Sequence, residues 1–307
     1  MLLVWLSVYV KLQRPTSKVH SAEWGDCYTQ KMQLDYFEMH GTGNRILVVD
    51  QRANNLPPPD LATIKQLGRG IIGPGFDQMM WVTTAAESDH AASYRVFNAD
   101  GSEVEQCGNG VRCVARVLAR EAQQNQYFMI ESPTGVVEAR LLDNGLISIN
   151  MGPPEFAPAR IPFLADGEAP SYVLEADGRT FDVAAISMGN PHCVLQVPDV
   201  KTAPVARIGP LIEHHERYPE RTNVGFMQIV DNATIELRVH ERGVGETQAC
   251  GTGACAAVVA GQRLGLLGTE VTVRLPGGEV MVSWRGGHDP VWLTGNAELI
   301  AEGTVEI

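Results

Sequence analysis

The chain has 307 residues, of which 44% are hydrophobic and 20% are charged, and its formal net charge is −12 at pH 7. These values are typical of a globular protein with a substantial core, and the acidic balance argues against a nucleic-acid partner, which would require a basic face. The six cysteines include no Cys-x-x-Cys pair, so a disulfide scaffold and the common zinc motifs are not expected. The sequence therefore predicts reduced thiols, a cytoplasmic location, no metal and no membrane partner.

The first 31 residues differ in character from the rest of the chain. Residues 1–10 are apolar but only about half as long as a membrane span, and they lack the basic start and clear cleavage site of a signal peptide. Residues 11–31, which include Cys27, show no apolar period. We expect residues 1–31 to form an extension outside the fold.

From Met32 onward, short β-type segments alternate with turn residues, and one long apolar helix is expected in each half of the chain. Asn144-Gly145 is typical of a hairpin turn. In chain order, the pattern predicts strands at residues 45–51, 78–84 and 93–98, a helix at 107–123, strands at 128–132, 136–142, 146–151, 172–174, 180–187, 193–197, 223–230 and 234–240, a helix at 250–262, and strands at 270–275 and 280–284.

A sequence duplication relates the two halves. Residues 95–152 repeat without a gap 143 positions later as residues 238–295, and the repeat carries Cys107-Gly-Asn-Gly onto Cys250-Gly-Thr-Gly. It predicts an α+β fold of two pseudo-symmetric lobes, each a curled and mostly antiparallel sheet around a central helix. We expect the lobes at residues 32–151 and 152–296, with an active site between them.

Each half places one cysteine, Cys107 or Cys250, directly before Gly-x-Gly and an apolar run, which indicates a thiol at a helix start. The unpaired N–H groups and the positive dipole end there favour an anion, and the same field is expected to lower the pKa of a thiol. Inverting a carbon centre by proton transfer needs a base on one face and an acid on the other, and two equivalent lobes provide such a pair. The alternative is a structural role, because cysteine is among the most buried residue types. That role is expected for Cys113, Cys193 and Cys255, which lie inside apolar segments.

Several ordered motifs resemble the diaminopimelate epimerase family, namely residues 39–44, 97–110, 189–192, 222–224, 241–242 and 249–253. The resemblance runs from about Met32 to the C-terminus. It implies an isomerase that interconverts LL- and meso-diaminopimelate without a cofactor, in lysine and peptidoglycan precursor biosynthesis, and that is usually a homodimer. It also implies that the last strand, about residues 297–307, crosses back to the first lobe.

The resemblance also assigns roles to individual residues. Cys107 and Cys250 match the two acid/base thiols, and His192 and Glu241 match residues that flank and polarise them. In one departure, Pro74 stands where the family usually has an aliphatic residue. The residues that match the substrate-binding set are Asn44, Gln78, Asn98, Gly108, Asn109, Asn190, Asn223, Glu241, Arg242, Gly251 and Thr252.

Two alternatives remain open. A proline racemase or hydroxyproline epimerase of the same fold would use the same thiols, but Arg242 and the asparagine set favour a distal carboxylate and ammonium, which a proline ring lacks. A non-catalytic binding or thiol-redox protein would use Cys107 and Cys250 as ligand contacts or as a disulfide. Asn98 and Glu241 occupy equivalent positions in the repeat, and their different chemistry indicates that one unsymmetrical substrate is recognised.

Overall fold

The computed structural model describes residues 32–104, 107–122 and 126–307. The extension expected at residues 1–31, with Cys27, lies outside the described residues. The first half of the described chain contains eight strands and two α-helices. They are β1 (Gln33–Gly41), β2 (Asn44–Asp50), α1 (Leu61–Gly68), β3 (Gln78–Thr83), β4 (Ala92–Asn98), β5 (Glu103–Val104), α2 (Gly108–Glu121), β6 (Tyr127–Ser132), β7 (Gly135–Leu141) and β8 (Ile147–Asn150).

The second half repeats this order from β10 to β17, with one further strand before the repeat and one after it. Its described elements are β9 (Tyr172–Ala176), β10 (Arg179–Ser187), β11 (Pro191–Gln196), α3 (Val205–Glu213), β12 (Asn223–Asp231), β13 (Thr234–Glu241), β14 (Gly245–Thr247), α4 (Gly251–Arg263), β15 (Glu270–Leu275), β16 (Gly278–Ser283), β17 (Trp292–Gly295) and β18 (Glu298–Glu306).

Strand pairing follows the same pattern in both halves. β2 pairs with β3 in parallel as β11 does with β12, and β4 pairs with β6 in parallel as β13 does with β15. The other strand pairs of the described chain are antiparallel, including β8 with β17, which joins the two halves. The final strand, β18, pairs with β1, whereas β9 occupies the equivalent place beside β10. The expected α+β fold with mostly antiparallel sheets is confirmed.

Each half also contains a second, shorter helix that the sequence pattern did not indicate. The first one, α1, follows three consecutive prolines, and its N-cap residue is Asp60, whose side chain accepts a hydrogen bond from the Thr63 N–H at 2.8 Å. The second one, α3, contains Gly209 and Pro210, two residues that are unfavourable inside a helix. Tertiary packing overrides this low helix propensity, because Val205, Ile208 and Ile212 of α3 are buried in the core.

The long helices α2 and α4 form the centre of the molecule. Residues 254–261 of α4 are all buried, as are most residues of the first three turns of α2, and both helices contribute to one continuous core that contains Cys113 and Cys255. A helix that is apolar on all sides requires such enclosure. The two helix starts lie next to each other, because a Cβ atom placed on Gly251 would lie 4.0 Å from the Cα atom of Gly108. The expected core positions of Cys113, Cys193 and Cys255 are confirmed, since each is 0% exposed.

Among the described residues, no helix has both the length and the apolar character needed to cross a membrane.

Candidate active site

Cys107 is the N-cap residue of α2. Its backbone is extended (φ −144°, ψ 104°), and its Sγ atom accepts a hydrogen bond from the Gly110 N–H at 3.2 Å. This is the position at which a side-chain acceptor satisfies one of the unpaired N–H groups of the first helical turn. Part of the Cys107 side chain remains exposed. The thiol is therefore fixed by the helix start and still accessible.

Cys250 occupies the equivalent N-cap position of α4, with φ −128° and ψ 109°. Its Sγ atom lies 3.6 Å from the Thr252 hydroxyl oxygen, and only 5% of the residue is exposed. Beside it, Glu241 accepts a hydrogen bond from the Thr247 hydroxyl through Oε1. The two thiols therefore occupy equivalent backbone positions but have different neighbours.

The thiol pKa values move opposite to the expected direction. Burial raises the pKa of Cys107 to about 11, although the Gly110 N–H and the Arg112 charge act in the opposite sense. Burial, followed by the negative charge of Glu241, raises the pKa of Cys250 well above its usual value. The expectation of lowered thiol pKa values is wrong, because the cost of desolvating a thiolate exceeds the stabilisation from the helix start. Both thiols are protonated at neutral pH.

Both thiols line one cavity of about 690 Å³ that receives residues from the two halves of the chain. Of the residues assigned from the resemblance, the cavity wall contains Asn44, Gln78, Cys107, Gly108, Asn109, Asn190, Asn223, Glu241, Arg242, Cys250, Gly251 and Thr252.

Asn98 and His192 are absent from the wall of this cavity but lie close behind it. Asn98 lines a neighbouring cavity of about 340 Å³, to which Asn44, Gln78 and Glu241 also contribute. Its Oδ1 atom accepts a hydrogen bond from Gln78 Nε2 at 3.1 Å. Asn98 therefore reaches the larger cavity through Gln78.

His192 is 1% exposed, and its Nε2 atom lies 3.0 Å from Asn190 Oδ1. Burial, assisted by the positive charge of Arg242, lowers the pKa of His192 to about 3, so the imidazole is neutral. A neutral ring with Nε2 protonated donates to Asn190 and directs the Asn190 amide nitrogen toward the Thr252 hydroxyl, 3.4 Å away. His192 thus contacts the cavity wall and is connected to the thiol of Cys250 through Asn190 and Thr252.

Arg242 and Asn223 both line the cavity and contact each other. The Asn223 carboxamide accepts a hydrogen bond from the Arg242 N–H at 3.0 Å and donates to the Pro191 carbonyl at 2.9 Å. The side chain of Arg242 is exposed and donates to the Glu220 carbonyl at 3.2 Å, and no carboxylate of the described chain pairs with it. The guanidinium is therefore available for an anionic group in the cavity.

Some residues of the cavity wall were not anticipated from the sequence, among them Glu103, Thr134, Met151 and Met188. Glu103 forms an ion pair with Arg95, with 2.7 Å between Glu103 Oε1 and Arg95 Nε. The equivalent residues of the second half, Glu246 and Arg238, form the same pair at 2.6 Å. The identity of both residues across the repeat was a signal for this structural ion pair. Among the described residues, no cluster of three or more His, Cys, Asp or Glu side chains is arranged to hold a metal ion.

A family model described as diaminopimelate epimerase matches residues 36–157 and 184–300. The diaminopimelate epimerase of Pseudomonas entomophila is 49% identical over 280 residues, and that of Nitrosomonas europaea is 47% identical over 277 residues; each match covers 90% of this chain and all of the relative.

Solved structures share the fold at low sequence identity. A hydroxyproline epimerase from Agrobacterium vitis aligns with a TM-score of 0.62 at 16% identity, covering 90% of this chain and 93% of that one. A predicted epimerase from Pseudomonas aeruginosa aligns with a TM-score of 0.64 at 17% identity, covering 88% and 98% of the two chains. At these identities the alignments establish a common architecture.

Proposed function

The chain belongs to the diaminopimelate epimerase family, and we propose that it interconverts LL- and meso-diaminopimelate as an isomerase of lysine and peptidoglycan precursor biosynthesis. One observation carries the proposal: Cys107 and Cys250 are the N-cap residues of two helices whose starts lie next to each other, and both line a single cavity. A pair of thiols in this arrangement supplies a base for one face of a carbon centre and an acid for the other.

In the proposed reaction, the thiolate of one cysteine removes the Cα proton and the thiol of the other cysteine returns a proton to the opposite face. The Cα–H of an amino acid is less acidic than a thiol by on the order of ten pKa units, which corresponds to about 14 kcal/mol. The N–H groups at the two helix starts, at Gly108-Asn109 and Gly251-Thr252, stabilise the charge that moves onto the substrate carboxylate.

The raised thiol pKa values fit this chemistry. A thiolate formed from a group of high pKa is a stronger base, so the mismatch with the carbon acid becomes smaller. The substrate ammonium brings a positive charge into the cavity, which favours the thiolate when the ligand is bound. Glu241 acts on the thiol of Cys250 through its negative charge, and His192 acts on it through Asn190 and Thr252.

We assign substrate recognition to the remaining polar wall. Arg242 has no carboxylate partner among the described residues, and its guanidinium is suited to bind the distal carboxylate through two hydrogen bonds. Asn98 and Glu241, which are equivalent in the repeat but differ in charge, distinguish the two ends of the substrate. The other binding residues of this proposal are Asn44, Gln78, Asn109, Asn190 and Asn223, together with Gly108, Gly251 and Thr252.

The proposed mechanism uses no pyridoxal phosphate and no metal, because backbone N–H groups stabilise the carbanion. We further propose two lobes, residues 32–151 with about 297–307 and residues 152–296. The pairing of β18 with β1 supports this division.

We also propose a cytoplasmic homodimer. The five free thiols of the described chain fit a cytoplasmic location, and the exposed Leu299 and Ile300 on β18 fit a dimer interface. Sedimentation of the wild type and of an Ile300→Asp variant tests the oligomeric state.

Proton exchange in heavy water tests the function. The protein is incubated with LL-diaminopimelate, meso-diaminopimelate or L-proline, and loss of the Cα proton signal is followed by NMR. Exchange with both diaminopimelate isomers and none with proline supports the proposal. Exchange with proline alone would establish the proline-type alternative, and exchange with neither substrate would contradict an epimerase function.

A further inference from the structure

Arg112 carries a buried positive charge without a carboxylate partner in the described chain. It is 0% exposed, and its neighbours within hydrogen-bond distance are the Thr42 hydroxyl at 2.8 Å, Asn109 Oδ1 at 2.7 Å and the Asn296 carbonyl at 3.1 Å. Its Nη1 atom makes no hydrogen bond to the described residues. Burying an unpaired charge is costly, so a purely structural role would be filled more favourably by an apolar side chain.

The duplication shows that the fold itself does not require arginine at this position. The residue that occupies the same place in α4 is Cys255, which is also 0% exposed. Gly295 leaves space for the guanidinium, because a Cβ atom placed on Gly295 would lie 3.1 Å from Arg112 Cζ. Gly152 is the equivalent of Gly295 in the repeat, and a Cβ atom placed on Gly152 would have no atom within 4 Å. Arginine is thus a specific feature of the first half, accommodated by a glycine.

A chain of hydrogen bonds leads from Arg112 to the cavity. A guanidinium has only donors, so the Asn109 oxygen must face Arg112 and the Asn109 nitrogen must point away from it. That nitrogen donates to Asn44 Oδ1 at 3.1 Å. The oxygen of Asn44 is therefore occupied, and its amide nitrogen remains as a donor. Asn44 and Asn109 both line the cavity that contains the thiols.

We propose that Arg112 is a positioning residue that fixes the amide orientation of Asn109 and, through it, of Asn44, so that Asn44 presents N–H donors to a carboxylate oxygen of the substrate. The inference rests on the proposed function for the identity of that substrate. Without the guanidinium, both carboxamides are free to rotate by half a turn, and an Asn44 oxygen would then face the substrate oxygen. Arg112 also connects Thr42, in the β1–β2 turn, to Asn296, between β17 and β18.

The test compares Arg112→Met with Arg116→Met. Arg116 lies one turn later on α2 and donates to the Ala297 and Gly145 carbonyls, so it contacts the same β17–β18 connection but not the carboxamide chain. A hydrogen bond from an oriented donor to a charged oxygen contributes about 1.5–3 kcal/mol to binding. Its loss in Arg112→Met should therefore raise the KM for diaminopimelate about 10- to 100-fold. Arg116→Met should leave KM within about twofold of the wild type. Equal KM values in the two variants would overturn the proposal.

A double-mutant cycle separates positioning from general disruption. In an Asn44→Ala background the donor is already missing, so Arg112→Met should raise KM by less than about twofold. The same large increase in both backgrounds would contradict a role through Asn44. The Arg112→Lys variant retains one donor for Asn109 and is expected to recover most of the lost affinity.

NMR of the free wild-type protein keeps the inference independent of turnover and of variant folding. Side-chain amide signals are assigned by Asn44→Ala and Asn109→Ala, and nuclear Overhauser effects should place the Asn109 amide protons beside Asn44 and away from the Arg112 guanidinium. Asn109 amide protons beside Arg112 would refute the relay even if the enzyme is active. If the wild type does not act on diaminopimelate, the proposed function fails, and the NMR result still decides whether Arg112 orients Asn109.

Discussion

Replacing Gly110 with alanine tests how tightly the first turn of α2 is packed. A Cβ atom on Gly110 would lie 2.3 Å from Sδ, 3.0 Å from Cε and 3.2 Å from Cγ of Met80. Because favourable contacts between heavy atoms begin near roughly 3.5 Å, the sulfur must move by more than about 1 Å. Met80 is 0% exposed, so this movement disturbs the surrounding core.

The expected cost combines two opposing effects. Overpacking a core by one methyl group costs about 1–3 kcal/mol, and replacing glycine by alanine in a helix returns about 0.5–1 kcal/mol. We therefore expect Gly110→Ala to lower the free energy of unfolding by about 1–2 kcal/mol, measured by urea titration. In a Met80→Ala background, which removes all three clashing atoms, the same substitution should be neutral or stabilising. An equal cost in both backgrounds would refute this reasoning.

Gly253→Ala, at the equivalent position in α4, is the matched control. Its Cβ atom would lie 3.1 Å from Val239 Cγ2 and 3.2 Å from Cys250 Sγ, so no contact falls below 3.0 Å. We expect a smaller loss of stability than for Gly110→Ala, together with a larger loss of activity, because the displaced atom belongs to a thiol of the cavity.

Two further predictions follow from titratable groups. At pH 8 a thiol whose pKa is about 11 is ionised to roughly one part in a thousand, so iodoacetamide should label Cys107 about a hundred times more slowly than free cysteine. Cys250, which is more buried, should be labelled after Cys107. Rapid labelling of Cys107 at pH 8 would contradict the raised pKa. Burial favours a higher pKa for Glu213, but hydrogen bonds from His240 and the Gly243 N–H outweigh it and hold the pKa below its usual value. Glu213 therefore stabilises the fold above the pKa of the unfolded state, near about 4.3, and this contribution disappears as pH falls through the folded pKa. In urea titrations at pH 7, the free energy of unfolding of Glu213→Gln should be lower than that of the wild type by about 1–3 kcal/mol, and this difference should shrink below pH 4. A difference that does not change with pH would contradict the lowered pKa of Glu213.

The placement of the two thiols was predictable because it depends on local sequence. Cysteine followed by Gly-x-Gly and an apolar run specifies a helix start, and the repeat indicates the same start twice. Most strands were predictable for the same reason, since alternation and turn residues are local. The helix α3 was not predictable, because Gly209 and Pro210 oppose a helix and only the buried contacts of Val205, Ile208 and Ile212 favour it.

The electrostatics of the site were less predictable, because they depend on tertiary burial. A helix start argues for a low thiol pKa, but the degree of enclosure that reverses this effect for Cys107 and Cys250 cannot be inferred from neighbouring residues. The contacts of Arg112 are also tertiary, since they join residues as distant in sequence as Thr42 and Asn296. One signal was available, because the repeat places arginine in one half opposite cysteine in the other.

The central claim, one thiol for each face of the substrate, is tested most directly by Cα proton exchange in Cys107→Ala and Cys250→Ala. Each variant should lose epimerisation by several orders of magnitude. Each should still exchange the Cα proton of one diaminopimelate isomer, and the two variants should act on opposite isomers. Cys113→Ala and Cys255→Ala, which alter buried thiols of the same helices, serve as controls and should retain epimerisation of both isomers. The same isomer preference in both active-site variants, or near-normal epimerisation in either, would contradict the two-thiol mechanism.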